Sequence, residues 1–380
     1  MFITKNEKIS SDLNQDPLKV QSIGFKEEKC SFGTQWLALF DMLPDIDISE
    51  LCKYENLLQL HFHIKGGDDI SHIAKLKKLK RLNLRCADDI DLTVLSELPE
   101  LRELSLRFNC KEASIHYLNA FTKLEKLTVL APKLSDTGAI NALHNLKYLH
   151  ISADKVDEIP DFSNFPKLEE LTLYFKGLSD ISSVAGLKKL KSLAIMYGEE
   201  IDLAYLSELK ELRELDATAS SFKNVEALSS LTELESLCLH YTIKDLSFIS
   251  NLKKLKYLNL LGCEITDISA LSSLKSLEIL NLTKNKITDI SALSGLTELY
   301  SLYLGDNKIK DISPLASLKR LGDLGLSDNE ISDISVLKEL PNLYELFPGN
   351  NPISETDETL LYLQKKEGLH VWLPRESSQS

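Results

Sequence analysis

Leucine recurs in a fixed 22-residue frame through most of the chain. The frame is plainest near the C-terminus, in LKSLEILNLTKNKITDISALSG, LTELYSLYLGDNKIKDISPLAS and LKRLGDLGLSDNEISDISVLKE. Its skeleton reads L-x-x-L-x-x-L-x-L-x-x-N-x-I-x-D-I-S-x-L. The first leucine of each L-x-L, the anchor, falls at Leu60, Leu82, Leu104, Leu127, Leu149, Leu171, Leu193, Leu215, Leu237, Leu258, Leu280, Leu302, Leu324 and Leu346. The 22-residue step breaks only twice, to 23 between Leu104 and Leu127 and to 21 between Leu237 and Leu258. A fifteenth unit is expected to begin near Ala38 and Phe40. The chain holds 74 leucines in 380 residues, so one packing position is used many times rather than one large mixed core being built.

The spacing dictates local structure. In L-x-L both leucines point to one face of a short strand, because side chains alternate with period two. The isoleucines and leucine that follow return the chain around the same core. The Asp and Ser before that return suit the free N–H groups of a tight helical turn. One unit cannot bury its leucines alone, so units must stack, and their strands form a parallel sheet.

This pattern resembles the leucine-rich repeat family, in its 22-residue class, which includes bacterial internalins and a regulatory subunit of protein phosphatase one. The resemblance covers about residues 38–368. It implies an α/β fold: a leucine-rich repeat solenoid, a curved right-handed horseshoe with the parallel sheet on its concave face and short helical turns and loops on its convex face. In the family an Asn five residues after the anchor satisfies backbone groups in the turn. That Asn is present as Asn285, Asn307, Asn329 and Asn351, and once early as Asn109, but is replaced elsewhere by residues such as Pro132, Asp154, Gly198, Ser220 and Cys263. The expected organisation is an N-terminal cap over 1–37, the solenoid over 38–352, a cap helix and end strand over 353–374, and a tail over 375–380. The cap helix is expected from Glu355 to Lys366, with Gly368 as its stop.

Composition narrows function. No run of 18 apolar residues exists to form a membrane-spanning helix. A net charge of −13 argues against bulk nucleic-acid binding. The N-terminus lacks the apolar run of a secretory signal, so a cytoplasmic location is expected. The cysteines Cys30, Cys52, Cys86, Cys110, Cys238 and Cys263 are scattered without a C-x-x-C and are expected as free thiols.

The residues beside the core leucines carry whatever specificity exists. Arg81, Arg85 and Arg107 make a basic end, with Lys126, His61 and His63 nearby, and Asp306, Asp323, Asp328 and Glu345 an acidic one. Between them lies an aromatic belt of Tyr148, His150, Tyr174, Phe175, Met196, Tyr197, His240, Tyr241 and Tyr257. Arg and large aromatic residues are enriched at protein interfaces. The competing reading is that Phe108, Phe175 and Leu130 pack between irregular units.

Catalytic signatures are missing. No phosphate loop, H-E-x-x-H or G-x-S-x-G occurs. His61-x-His63 has cationic neighbours that disfavour a metal, and Cys238 beside His240 is read as a structural thiol with no third group. No metal and no cofactor are expected. The expected function is a non-catalytic interaction module that binds a folded protein on its concave face, as a regulator or inhibitor, and is monomeric when unbound. The alternatives are a bacterial immunity or effector-type protein, and an enzyme with its site in a terminal cap.

Overall fold

Each 22-residue frame builds one strand and one turn, and successive frames lie side by side. The computed structural model describes residues 22–23, 48–243 and 245–373, so most of the expected N-terminal cap and the tail over 375–380 lie outside the described residues. The chain forms two compact units that divide between Lys176 and Gly177.

The first unit contains β1 (Ser22–Ile23), β2 (Gln59–Ile64), β3 (Arg81–Cys86), β4 (Glu103–Phe108), β5 (Ala113–Ser114), β6 (Lys126–Ser135), β7 (Tyr148–Val156) and β8 (Glu170–Tyr174). Its strands are parallel and pair anchor to anchor, from Leu60 on Leu82 to Leu149 on Leu171. Ser22 and Ile23 pair with Gln59 and Leu60. The fifteenth unit expected near Ala38 and Phe40 lies outside the described residues.

The second unit contains β9 (Ser192–Asp202), β10 (Glu214–Lys223), β11 (Ser236–His240), β12 (Tyr257–Asn259), β13 (Ile279–Asn281), β14 (Ser301–Tyr303), β15 (Asp323–Gly325), β16 (Glu345–Phe347) and β17 (His370–Val371). The same anchor-to-anchor register runs from Leu193 to Leu346. It closes where Val371 pairs with Leu346. No anchor in either unit is more than 2% exposed, which makes the anchors the core of both.

The return of most frames is a 3-10 turn whose first N–H groups an Asp just before it holds; the turns after Ser114, Asp136 and Asn224 lack that side-chain cap. Asp267, Asp289, Asp311 and Asp333 each accept a hydrogen bond of 2.8 Å from the backbone N–H two residues on. Asp69, Asp91, Asp161, Asp180, Asp202 and Asp245 do the same in less regular frames. Surface pairs link consecutive frames at the repeat distance, among them Lys147 to Glu125 at 2.7 Å and Lys256 to Glu235 at 2.8 Å.

The asparagine position sets two kinds of frame apart from the rest. Asn307 is buried; its Nδ2 donates to the carbonyls of Leu282 and Leu304, and its Oδ1 accepts from Ile287 N–H. Asn285, Asn329 and Asn351 repeat these bonds. Cys263 stands in for the Asn one frame earlier and donates from Sγ to the Leu239 carbonyl at 3.2 Å. Asn109 holds the same position but is exposed. Where the Asn is replaced by Pro132, Asp154, Gly198 or Ser220, the strand runs on. β6 and β7 stay paired to Leu134 and Val156, and β9 and β10 to Asp202 and Lys223.

The C-terminal helix α1 (Glu358–Lys365) begins three residues later than the expected Glu355. Asp357 sets that start, accepting from Thr359 and Leu360 N–H at 2.8 and 2.9 Å. Gly368 ends the segment in the left-handed region, with φ 78°. Beyond it Trp372 stacks on Phe347, with ring centroids 6.0 Å apart.

Candidate functional site

The side chains that point away from the core leave each sheet one ordered outer face. In the first unit, His63, Arg85 and Arg107 are consecutive partners in register across β2, β3 and β4. Two arginines directly opposite each other repel, and the half-buried Arg107 guanidinium is held below its ordinary pKa by burial and by Arg85. Arg81 is more exposed, and Glu103 balances it at 2.8 Å. Lys126 Nζ sits 4.6 Å from the centre of the half-buried Tyr148 ring. Tyr174 projects outward and is 40% exposed.

Two expected contact residues are not on this surface. His150 is 5% exposed, in register between Thr128 and Thr172, and burial with the nearby Lys126 charge lowers its pKa to about 4. A group so enclosed is not available to a partner. Phe175 is 1% exposed. It lies four residues after its anchor, and strand alternation puts that position on the core face. Phe108, at the same position of its own frame, is buried for the same reason. Leu130 is half-buried.

The second unit shows what changes this rule. Tyr197 also lies four residues after its anchor, but its backbone is left-handed, φ 60°, and its side chain is 50% exposed. Lys284, Asp306, Asp328 and Asn350 share both that frame position and a positive φ. The repeat thus imposes the left-handed residue, which suits Asp and Asn and costs a bulky aromatic about 1 kcal/mol. Met196 and Tyr197 together face the single residue Thr218 of β10, a β-bulge between the Ile195–Ala217 and Gly198–Ala219 pairs. Asp306 and Asp328 of the acidic end are therefore turn residues in part. Tyr241 packs edge-on against Phe222 at 5.8 Å, and Met196, His240, Tyr241 and Tyr257 are all half-buried.

Sequence reasoning missed one group on this face. Cys238 Sγ lies 3.1 Å from His240 Nε2, and Asp216 supplies the third group that the pair was expected to lack. Asp216 pairs with Cys238 in register. The signal was present, because a constant frame makes the residues between consecutive L-x-L leucines lateral neighbours. Burial raises the pKa of both the Asp216 carboxyl and the Cys238 thiol. The described cysteines Cys52, Cys86, Cys110, Cys238 and Cys263 are all free, and Cys30 lies outside the described residues. Among the described residues no helix is long and apolar enough to cross a membrane.

Parallel strands stacked at a 22-residue interval and joined by 3-10 turns define a repeat solenoid. A family model described as leucine-rich repeats, two copies, matches residues 232–273 and 275–317. No curated protein matches the chain. Among solved structures, an internalin of Listeria monocytogenes is 28% identical, with a TM-score of 0.58, over 77% of this chain and 81% of that one. A leucine-rich repeat protein of Leptospira interrogans is 21% identical, with a TM-score of 0.71, over 98% of this chain and 100% of that one. A plant peptide hormone receptor in complex with RGF2 is 20% identical, with a TM-score of 0.59, over 80% of this chain and 61% of that one. The chain is built as a leucine-rich repeat solenoid, and residues 232–273 and 275–317 are leucine-rich repeats by sequence as well.

Proposed function

We propose that this chain is a non-catalytic protein-binding module that holds a folded partner against its sheet surface. The observation that carries the reading is Tyr197. A bulky aromatic occupies a left-handed position that its counterparts fill with Lys, Asp or Asn, and it is half exposed. A bulky residue that breaks a local backbone preference points to a role beyond the fold. In the first unit, the exposed Tyr174 supplies a second aromatic anchor, and the side-by-side Arg85 and Arg107 suit an acidic side chain of the partner. Arg81 and Tyr148 in the first unit, and Met196, His240, Tyr241 and Tyr257 in the second, are further contact residues of their own unit's sheet surface. The role is that of a regulator or inhibitor acting in the cytoplasm, through preorganised complementarity rather than turnover.

The test uses Tyr197→Asn. The substitution gives the left-handed position a residue that tolerates it, so the melting temperature is expected to hold or rise slightly. Affinity for a partner isolated with the wild-type chain from its native host is expected to fall about tenfold or more, as for an aromatic hot spot. Unchanged affinity in both Tyr197→Asn and Tyr174→Ser sinks the reading.

A further inference from the structure

We propose that Asp216, Cys238 and His240 form a binding site for one thiophilic divalent cation of the zinc class. The three side chains offer a carboxylate oxygen, a sulfur and an imidazole nitrogen, all within 4.8 Å of one another. Zinc takes such a mixed set at about 2.0–2.3 Å per ligand, which places tetrahedral ligand atoms about 3.5 Å apart. The Cys238–His240 separation of 3.1 Å is already close to that, so the remaining adjustment is side-chain rotation.

The scaffold fixes all three. Asp216 and Cys238 are direct partners on β10 and β11, and His240 is two residues along the same face of β11. The carboxylate and the imidazole are half-buried and the thiol is buried, so the cluster is held by the sheet rather than by a mobile loop. Asn259 pairs with Cys238 on the other side. Its Oδ1 accepts from Leu261 N–H at 3.1 Å, which fixes the amide beside the sulfur.

Charge also discriminates this cluster from the other candidate. Across β9 to β12, the neighbouring row reads Ser192, Glu214, Ser236, Tyr257, and the row of the site reads Ala194, Asp216, Cys238, Asn259. Neither row holds a lysine or arginine, whereas His61 and His63 face Asn83 and Arg85. On binding, the Cys238 thiol proton leaves to solvent and the sulfur lone pair goes to the metal. Three protein ligands leave a fourth position, which takes water or a donor from outside the chain. This inference does not rest on the partner-binding reading.

Cobalt(II) replaces zinc as a spectroscopic probe. Titration of the reduced full-length protein is expected to give a sulfur-to-cobalt charge-transfer band that saturates at one equivalent and is bleached by added zinc. Cys238→Ser is expected to abolish the band. His240→Gln and Asp216→Asn are expected to weaken binding about tenfold or more while the circular dichroism melt stays that of the wild type. A wild-type protein with no band, or a band that survives in Cys238→Ser, overturns the proposal. The wild-type titration keeps it falsifiable even if one variant fails to fold.

Discussion

In the frames anchored at Leu280, Leu302, Leu324 and Leu346, each strand is three residues long and a side chain closes the turn behind it. In β6, β7, β9 and β10 the strand is nine to eleven residues long, and the backbone of the neighbouring frame does that work instead. Buried N–H and C=O groups must be paired in both cases. The asparagine frames pair them through Nδ2 and Oδ1; the run-on frames continue the ladder past the bend. In these four run-on frames the loss of the asparagine changes the device, and the ladder of the neighbouring frame takes over the pairing. The residue before the asparagine position divides along a different line. A left-handed backbone exposes it, as at Asp306 in an asparagine frame and at Tyr197 inside run-on β9, and an extended backbone buries it, as at Phe108 at the end of β4.

That contrast can be broken by substitution. Phe175→Ala is expected to have the largest effect, about 3–5 kcal/mol of lost stability by chemical denaturation, because it opens a cavity. Partner affinity per folded molecule should not change, and Tyr174→Ser beside it should cost less than about 1 kcal/mol. Asn307→Ala should cost about 2–4 kcal/mol, since the carbonyls of Leu282 and Leu304 and the N–H of Ile287 lose their partner. A cost under about 1 kcal/mol would mean that the asparagine bonds are incidental.

The third prediction concerns β7. The His150 pKa is about 4 when folded, against 6.5 for the free side chain, so the unfolded chain binds the proton more readily. Stability from the neutral ring is complete above about pH 6.5 and is lost as the pH falls towards 4, by about 2–3 kcal/mol. His150→Gln should flatten that part of the pH–stability curve, and an unchanged slope would show that the ring is solvated. The smallest effect belongs to Ser220→Asn, which puts the repeat's asparagine into the run-on strand β10. Ser220 is exposed, so the change should lie within about 0.5 kcal/mol. A gain well above that would show that the run-on strand leaves backbone groups unpaired.

The strand order, register and Asp-capped turns were all legible in the sequence, because each follows from a frame that repeats. The outer face was less legible. Tyr197 and Phe175 share one frame position and point opposite ways, since the direction depends on whether the backbone turns left-handed, and the residue type does not announce it. His150 was misplaced because its position was read within one strand, while its burial comes from the neighbouring strands. Asp216 was missed for the same lateral reason, although its partner Cys238 is one frame on.

Lys147 reaches Glu125, and Lys256 reaches Glu235, across about one frame of sequence. If most tertiary contacts span about 22 residues in a chain of 380, relative contact order is only about 0.06. That is just below the range of about 0.07–0.12 of fast-folding helical bundles, and it is reached here by a protein rich in parallel sheet. Loop closure then costs about the same entropy for the last frame as for the first. Added frames lengthen such a chain without making its assembly topologically harder. Duplication of a 22-residue segment is accordingly a gentle way for this architecture to grow.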